Sequence, residues 1–468
     1  MAAISPRLVV FVAVLLLATA TTTQCHRHGK RHRHHAAKGA AAAAAMPGVT
    51  DVHAICRTTP HPDSCLASSA AHLDAVSAEA KKVGAAAAAA STISVQLLPP
   101  NILSVALASL RGALTAVFAA AVANIIHHNR RLLDDDDDYS DNGGNDDNNN
   151  NYNTVVITVA KDGSGDYRTV GEAVAAAPNN SATRTVIRVK AGTYEENVEV
   201  PPYKTNIALV GDGRDATVIT GSRSAADGWT TFRSATFGVS GEGFMARDVT
   251  FRNTAGAAKG QAVALRVSAD MAAAYRCGVE GHQDALYAHS FRQFYRECAV
   301  SGTVDLVFGD AAAVLQACAL VAGVPVAGQS NVLTAQARGD PNEDTGFSVH
   351  NCTVVASPEL LASGVSTRTF LGRPWRPYAR AVVMDSYLGP LVDRAGWVEW
   401  PGAEPGRADT VYFGEYGNGG PGAATDGRVG WAGFHDMGYD EAAQFSVDNL
   451  ISGDQWLAAT SFPYDDDV

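Results

Sequence analysis

The sequence predicts an all-β fold, a right-handed parallel β-helix, for residues 154–468, preceded by a short α-helical region. From about Thr154, short β-branched runs such as VVITVA, TVIRVK and FSVHNCTVV alternate with Gly, Asn and Asp, a pattern typical of repeated β rungs. A β-sandwich also contains many short strands. The solenoid is favoured because hairpin turns do not recur at fixed offsets, and because polar residues recur at one spacing.

The recurring polar residues are two glutamines and two aspartates. Gln261, Gln283 and Asp305 are evenly spaced along the chain, and the interval from Asp284 to Asp305 is shorter by one position. These intervals fall within the roughly 20–25 residues of a solenoid rung, and residues one rung apart stack on one face. We therefore expect the four side chains to form a column on one sheet.

Two carboxylates and two primary amides on one face are sufficient for ester hydrolysis. One carboxylate can attack the carbonyl carbon, while the second protonates the departing alkoxide and later takes a proton from water. Amide N–H groups can stabilise the oxyanion. The spacing alone leaves a structural role open, because stacked amides and turn aspartates are common in β-solenoids. A serine hydrolase is not indicated, since no Gly-x-Ser-x-Gly motif occurs.

Residues 1–25 predict a signal peptide and hence a secreted protein. Arg7 supplies the positive region, residues 8–17 are an apolar run too short to span a bilayer, and Ala18-Thr19-Ala20 is a small-x-small cleavage site. A short membrane anchor is the alternative, but the polar residues 21–24 argue against stable membrane insertion.

Three further segments precede the β region. Residues 26–50 are basic and rich in His and Ala, which favours a solvated, disordered segment over a metal site. Residues 51–131 predict helices, and the apolar stretch 102–126 within them is interrupted by polar residues as in a buried bundle helix. Residues 132–153 form an acidic Asp/Asn linker, which leaves the dibasic pair Arg130-Arg131 open to a processing protease.

Charge is distributed unevenly between the two parts of the chain. Residues 1–131 carry 12 basic and 4 acidic side chains, whereas residues 132–468 carry 24 basic and 44 acidic ones. An acidic body disfavours nucleic acid as a partner and is not expected to adhere to a polyanionic polymer.

Seven cysteines occur in a chain that we expect to enter an oxidising compartment. Cys25 lies at the edge of the signal peptide, and no Cys-x-x-Cys motif suggests a zinc ribbon. Three disulfides are predicted from the remaining six: Cys56–Cys65 in the helical region, Cys318–Cys352 across a loop of the β-helix, and Cys277–Cys298 by rung stacking. No metal or cofactor is predicted.

Seven segments occur in the order found in pectin methylesterases, and residues 154–468 resemble that family over essentially their whole length. The segments are GTYEE (192–196), QAVAL (261–265), GHQDALY (281–287), VDLVFGDAA (304–312), LGRPW (371–375), GWVEW (396–400) and YFGEYGNGGPGA (412–423). Residues 51–131 resemble a shortened form of the inhibitor-like pro-region of the same family, through ICRTTPHPDSC (55–65) and the RRLL site (130–133).

The resemblance implies a monomeric pectinesterase of the plant cell wall, or apoplast, that removes C6 methyl esters from homogalacturonan. It implies a possible proteinaceous inhibitor and a subtilisin-like protease at Arg130-Arg131 as partners. Its site residues map onto this sequence as follows: Asp305 is the nucleophile, Asp284 the proton donor, Gln283 and Gln261 the oxyanion site, Arg373 the group that orients Asp305, and Trp375, Tyr287 and Thr193 contacts for sugar, with Trp397 and Phe308 as weaker candidates.

The sequence departs from the family motifs at His282, Ala285, Leu306 and Asp310, where Tyr, Thr, Phe and Asn are usual. None of these changes removes a chemical group named above. Asp310 adds a negative charge shortly after Asp305 in the chain, which could raise the proton affinity of Asp305.

Two other kinds of function remain open from the residues alone. One is another pectin-active β-helix enzyme. A lyase would need a calcium-binding carboxylate cluster and a basic residue, and a galacturonan hydrolase would need carboxylates spaced for glycosidic cleavage. The other is a non-enzymatic protein that binds the wall or carries the inhibitor-like unit.

Overall fold

A computed structural model describes residues 155–404 and 406–468 of the protein. The predicted signal peptide, the segments 26–50, 51–131 and 132–153, the Cys56–Cys65 pair and the Arg130-Arg131 site lie outside the described residues. Among the residues that are described, no helix is long and apolar enough to cross a membrane.

The described chain coils through three parallel sheets, whose strands are numbered in chain order. Sheet 1 contains β1 Val155–Val159, β2 Thr185–Val189, β5 Ile207–Gly211, β8 Met245–Arg247, β11 Ala272–Tyr275, β14 Arg292–Arg296, β17 Ala312–Gln316, β20 Gly346–His350, β23 Arg380–Met384, β25 Tyr412–Tyr416 and β26 Phe434–Asp436. Sheet 2 contains β3 Gly192–Glu195, β6 Thr217–Gly221, β9 Thr250–Asn253, β12 Gly278–Glu280, β15 Ala299–Gly302, β18 Ala319–Ala322, β21 Thr353–Ala356 and β24 Tyr387–Leu388. Sheet 3 contains β4 Val198–Val200, β7 Phe237–Val239, β10 Leu265–Val267, β13 Leu286–Ala288, β16 Val307–Gly309, β19 Asn331–Gln336 and β22 Thr369–Gly372.

Each coil passes through sheet 3, sheet 1 and sheet 2 in turn, and every strand pairs in parallel with its counterpart in the next coil. Leu265 aligns with Leu286, and Leu286 with Val307, so that one coil covers 265–285 and the next covers 286–306. The predicted parallel β-helix is therefore confirmed.

The turn between sheet 1 and sheet 2 repeats one backbone conformation. The residue after the sheet 1 strand has a positive φ in seven coils, a left-handed conformation that redirects the chain within one residue. Asn and Asp tolerate this region better than other non-glycine residues. Six of these residues are Asp248, Arg276, Glu297, Ala317, Asn351 and Asp385, with φ between 46° and 59°, and the seventh is Gly417, with φ of 61°.

The interior of the coil is filled by β-branched, leucine and phenylalanine side chains that stack from one coil to the next. Phe237 and Phe251 are fully buried and their ring centroids lie 4.8 Å apart. Removing such a side chain from water contributes about 1.5–3 kcal/mol. The short apolar runs of the sequence are thus explained by strands that bury one face in a continuous core.

Short helices accompany the strands of the solenoid. Helix α1, Val170–Ala176, begins at Thr169 with a capping box to Glu172, and the carboxylate of Glu196 accepts hydrogen bonds from the first two helical N–H groups. The other α-helices are α2 Pro358–Ser363, α3 Arg407–Thr410, α4 Tyr439–Ala443 and α5 Val447–Ile451. Short 3₁₀ helices span Ala225–Asp227, Thr231–Ser234, Ala257–Lys259, Gly453–Gln455 and Leu457–Thr460.

A buried ion pair lies near the carboxy-terminal end of the coil. Arg428 donates two hydrogen bonds to Glu415, at 2.7 and 2.8 Å, and both side chains are only 1% exposed. The indole of Trp397 donates to the same carboxylate at 3.1 Å and stacks on Phe413. Trp397 is 1% exposed, so the prediction that it contacts sugar is wrong, because its ring is part of the core.

Each of the four cysteines in the described part of the chain is a buried free thiol. They lie one coil apart, since each immediately precedes a strand of sheet 2 in aligned register. The predicted Cys277–Cys298 and Cys318–Cys352 disulfides are not formed in the structure. Each sulfur donates instead to a main-chain carbonyl, as the thiol of Cys352 does to Leu315 at 3.2 Å.

Candidate active site

Two aspartates occupy equivalent turns in consecutive coils, where the chain passes from sheet 2 to sheet 3. Asp284 lies just before β13 and Asp305 just before β16, and the register of these strands places the two residues one coil apart. Both have positive φ, 65° and 53°, which Asp tolerates better than most residues. The two carboxyl groups are therefore stacked, and both residues are at most 5% exposed.

The four residues of the predicted column form two neighbouring pairs, Gln261 with Gln283 and Asp284 with Asp305. Ala262 donates its N–H to the carbonyl of Gln283 at 3.1 Å, as Asp284 does to that of Val304 at 3.0 Å, so that Gln261 lies level with Gln283. The amide of Gln283 hydrogen-bonds to Asp284 and, like Gln261, remains partly exposed. The main-chain carbonyl of Gln261 accepts a hydrogen bond from Ala225 at 2.8 Å, which ties this turn to the 222–234 loop.

Arg373 follows β22 and reaches back to Asp305 across two coils. Its Nε and Nη2 donate to the two oxygens of Asp305 at 2.8 and 2.7 Å. The guanidinium also faces the ring of Trp400, whose centroid is 4.3 Å away. The predicted bidentate contact is present, and it fixes the plane of the Asp305 carboxylate.

The two carboxyl groups differ in their electrostatic environment. Burial, followed by the neighbouring charge of Asp305, raises the pKa of Asp284 well above its ordinary value. Burial also raises the pKa of Asp305, but the hydrogen bond and positive charge of Arg373 oppose that effect. When the pair holds one proton, Asp284 is therefore its favoured site, and Asp305 is the favoured anion.

Aromatic rings form a continuous floor beside the carboxyl pair, on the outer face of sheet 3. Tyr287 stacks on Phe308 at 4.2 Å between centroids, and Phe308 contacts Trp375 at 5.9 Å. Trp375 in turn stacks on Trp400 at 6.4 Å. Phe308 is only 3% exposed and packs within this cluster, whereas the partly buried Tyr287, Trp375 and Trp400 offer flat apolar surfaces that suit the faces of sugar rings. Trp400 was not predicted, although it closes the GWVEW segment.

The floor continues toward the amino-terminal coils through residues that the sequence did not indicate. Arg266, which aligns with Tyr287 in the sheet, is fully buried and paired with Glu199. Phe232 covers its guanidinium at 3.6 Å and meets the ring of His289 edge-on at 5.4 Å. Phe232 lies on the 222–234 loop, where no strand periodicity marks it.

One predicted contact residue lies elsewhere. Thr193 is on β3 in sheet 2 with an exposed side chain, and its carbonyl accepts a hydrogen bond from Lys161. The carboxyl pair and the aromatic floor belong to sheet 3. The assignment of Thr193 to the sugar site is therefore not supported by its position, because membership of the same set of motifs does not place residues on one sheet.

The four departures from the family motifs lie in different surroundings. Ala285 and Leu306 are fully buried in the core, so smaller or reshaped interior side chains replace the usual ones. The imidazole Nδ1 of His282 is buried without a hydrogen-bond partner, and burial lowers the pKa of this histidine. Asp310 follows β16, at the opposite end of that strand from Asp305, and its carboxylate accepts from Thr345 at 2.7 Å. The expected effect of Asp310 on Asp305 is thus reduced by their separation along the strand.

Comparison with known proteins gives the family. A family model described as Pectinesterase matches residues 156–454. The chain belongs to the pectinesterase family. The carboxyl pair, Arg373 and the aromatic floor all lie within the part of the chain that the family model matches.

Individual relatives agree with the family match. The chain is 54% identical over 312 residues to a protein named probable pectinesterase/pectinesterase inhibitor 12 from Arabidopsis thaliana, covering 67% of this chain and 57% of that protein. It is 53% identical to the pectinesterase of Daucus carota, covering 66% of this chain and 96% of that one. The solved pectin methylesterase from carrot superposes with a TM-score of 0.64 at 51% identity, covering 69% of this chain and 99% of that structure.

The alignments cover only part of several relatives. The chain spans little more than half the length of the relatives that are named pectinesterase/pectinesterase inhibitor, at 57%, 58% and 56% of three of them.

Among the described residues, no group of three or more His, Cys, Asp or Glu side chains is arranged to hold a metal ion.

Proposed function

We propose that this protein hydrolyses the C6 methyl esters of homogalacturonan, releasing methanol and de-esterified pectin. The observation that carries this proposal is the pair of stacked carboxyl groups of which one, Asp305, is held by Arg373, while the other, Asp284, has the higher proton affinity. Ester hydrolysis needs that asymmetry, since one group must attack as an anion while the other donates a proton.

In the first half of the reaction, an oxygen of Asp305 attacks the ester carbonyl carbon. The electron pair of the carbonyl moves onto its oxygen, which receives hydrogen bonds from the amides of Gln283 and Gln261. Collapse of this intermediate breaks the bond to the methoxy oxygen, which takes the proton of Asp284 and leaves as methanol. Arg373 holds the attacking carboxylate in one plane throughout.

In the second half, water attacks the carboxylic anhydride that joins Asp305 to the substrate. The carboxylate of Asp284 takes a proton from this water and so returns to its acid form. Asp305 leaves as the carboxylate, and the product carries a free galacturonate group. Tyr287, Trp375 and Trp400 offer flat surfaces for the neighbouring sugar rings.

A direct assay separates this reaction from the other pectin-active chemistries. We expect the β-helix domain, residues 154–468, to release methanol from methyl-esterified pectin without shortening the polymer. Methanol and new reducing ends are measured on the same samples. Chain shortening without methanol would indicate a hydrolase or lyase instead, and binding to pectin without either product would indicate a non-enzymatic protein.

Replacing Arg373 tests the orientation of the nucleophile. Lysine keeps the positive charge but cannot make both contacts with Asp305, so Arg373→Lys should lower kcat by about 10²-fold with little change in KM. The measurement is steady-state methanol release, with thermal unfolding to confirm that the variant is folded. An unchanged kcat would mean that Arg373 acts only in holding β22 against the coil.

Secretion and processing are part of the same proposal. A signal peptide at residues 1–25 would deliver the protein to the cell wall, and a subtilisin-like protease would cut at Arg130-Arg131 to release a monomeric domain. The shortened inhibitor-like region 51–131, or a separate inhibitor of that kind, is the proposed protein partner. The names of several relatives contain both pectinesterase and pectinesterase inhibitor, which supports this part of the proposal.

A further inference from the structure

A pocket of about 270 Å³ opens beside the aromatic floor, where the strands of sheet 3 end. One wall consists of Tyr287 and Trp375, which also belong to the floor. The lining also includes two acidic side chains, Asp310 and Glu343. Because the pocket shares two rings with the floor, a polymer lying along the floor places one of its units in the pocket.

Asp310 keeps its negative charge close to the space that a sugar would occupy. Its Oδ1 accepts hydrogen bonds from Thr345 at 2.7 Å and from Gln336 at 3.4 Å, and no salt bridge neutralises it among the described residues. Burial raises the pKa of Asp310, and the nearby charge of Glu343 acts in the same direction. Both effects favour protonation as the pH falls, so the negative charge on the lining of the pocket is expected at neutral or mildly alkaline pH.

Two arginines near the pocket offset part of this negative charge. The charge of Arg338 acts on Asp310 and opposes that of Glu343, although its guanidinium is held by main-chain carbonyls of its own loop, including that of Glu343 at 2.7 Å. Arg376 lines the pocket but is exposed, where solvent screens its charge. The half-buried Asp310 is screened less than Arg376, so that a carboxylate placed against Asp310 meets a repulsion that a neutral methyl ester does not.

We propose that this pocket is a subsite that accepts a methyl-esterified galacturonate unit and rejects an unesterified one, with Asp310 as the residue that discriminates. The inference rests on the proposed function and deepens it. A methyl ester is neutral and fills the aromatic side of the pocket, whereas a free carboxylate is repelled by Asp310 and Glu343. The enzyme then works best on long esterified stretches and more slowly where a neighbouring unit has lost its methyl group.

The test compares two polymers with the parent protein and with Asp310→Asn. Asparagine keeps the shape and an Oδ1 acceptor for Thr345 and Gln336 but removes the charge. kcat/KM for methanol release is measured at neutral pH on fully esterified homogalacturonan and on the same polymer after partial random de-esterification. We expect Asp310→Asn to raise kcat/KM on the partly de-esterified polymer by about tenfold and to change it less than about twofold on the esterified one.

Two further variants keep the comparison decisive. The quantity compared is the ratio of kcat/KM on the partly de-esterified polymer to kcat/KM on the esterified one. Glu343→Gln should raise this ratio by a smaller factor than Asp310→Asn, and it replaces Asp310→Asn as the test if that variant does not fold. Asp426→Asn is the matched control, because it removes one acidic charge from a largely exposed pair with Arg394 outside the pocket, and it should leave the ratio unchanged.

The possible outcomes separate this inference from the function on which it rests. If the parent releases methanol from both polymers and the ratio is the same in Asp310→Asn and Glu343→Gln, the subsite is overturned while the esterase activity stands. If Asp426→Asn relaxes the ratio equally, net charge and not the pocket is responsible, and the inference also fails. Absence of methanol from both polymers overturns both.

Discussion

Asp305→Asn should abolish methanol release, with a loss of at least about 10³-fold in kcat. An amide oxygen is a very poor nucleophile, and the amide group also loses the charge that pairs with Arg373. Asparagine has nearly the shape of aspartate, so the turn before β16 and the coil should remain intact. The measurement is methanol release by stopped assay, together with thermal unfolding of the parent and the variant.

Two neighbouring substitutions provide the comparison for this result. Asp284→Asn should also be severely impaired, because methanol leaves poorly without a proton donor. Gln283→Ala should retain measurable activity, since the loss of one oxyanion donor costs about 10²–10³ in rate while the nucleophile stays in place. A folded Asp305→Asn variant that demethylates pectin at the parent rate would show that the mechanism is wrong.

Arg428→Met should cost about 3–5 kcal/mol in the free energy of unfolding, the largest stability effect expected of a single substitution here. The change leaves Glu415 inside the carboxy-terminal coils with only the Trp397 indole as a donor. The carboxylate, 1% exposed in the parent, would lose its cation and would have to be protonated or draw in water. The measurement is denaturant-induced unfolding, followed by circular dichroism and by tryptophan fluorescence.

The control for this prediction is the exposed pair of Arg394 and Asp426, whose side chains are 72% and 70% exposed. Arg394→Met should change the free energy of unfolding by less than about 1 kcal/mol, because solvent screens such pairs. A double replacement of Arg428 by Met and Glu415 by Leu should recover part of the lost stability, since no buried charge remains. Equal effects of Arg428→Met and Arg394→Met would contradict the role given to burial.

The sequence was sufficient to predict the parallel β-helix and the stacked carboxylates, because both depend on a repeat that is visible in the chain. The interval between Asp284 and Asp305 equals the length of the coil that joins them. The interval from Gln261 to Gln283 is longer by one position, and the coil accommodates the extra residue between Ala264 and Leu265, whose N–H groups both donate to the carbonyl of Ala285.

Other features depend on packing between segments that no spacing reveals. Trp397 and Trp400 lie in one short motif, yet Trp397 is buried on Glu415 and Trp400 faces Arg373 on the outer surface. Phe232 reaches the floor from a loop, and its contact with Arg266 joins that loop to the strand β10. The cysteines show the same limit, because stacking brought them into register as predicted but did not determine whether they bond.

The contact between Arg373 and Asp305 links the proposed chemistry to the order in which the solenoid assembles. Asp284, Asp305 and Arg373 are carried by β13, β16 and β22, with β19 between the last two, so that the site exists only when these coils are stacked. In solenoids each repeat is stabilised mainly by its neighbours, and terminal repeats can open while the middle persists. Fraying of the first or last strands of sheet 1 would leave the contact between Arg373 and Asp305 intact. Refolding chains would regain esterase activity only after the coils that carry these two residues had stacked.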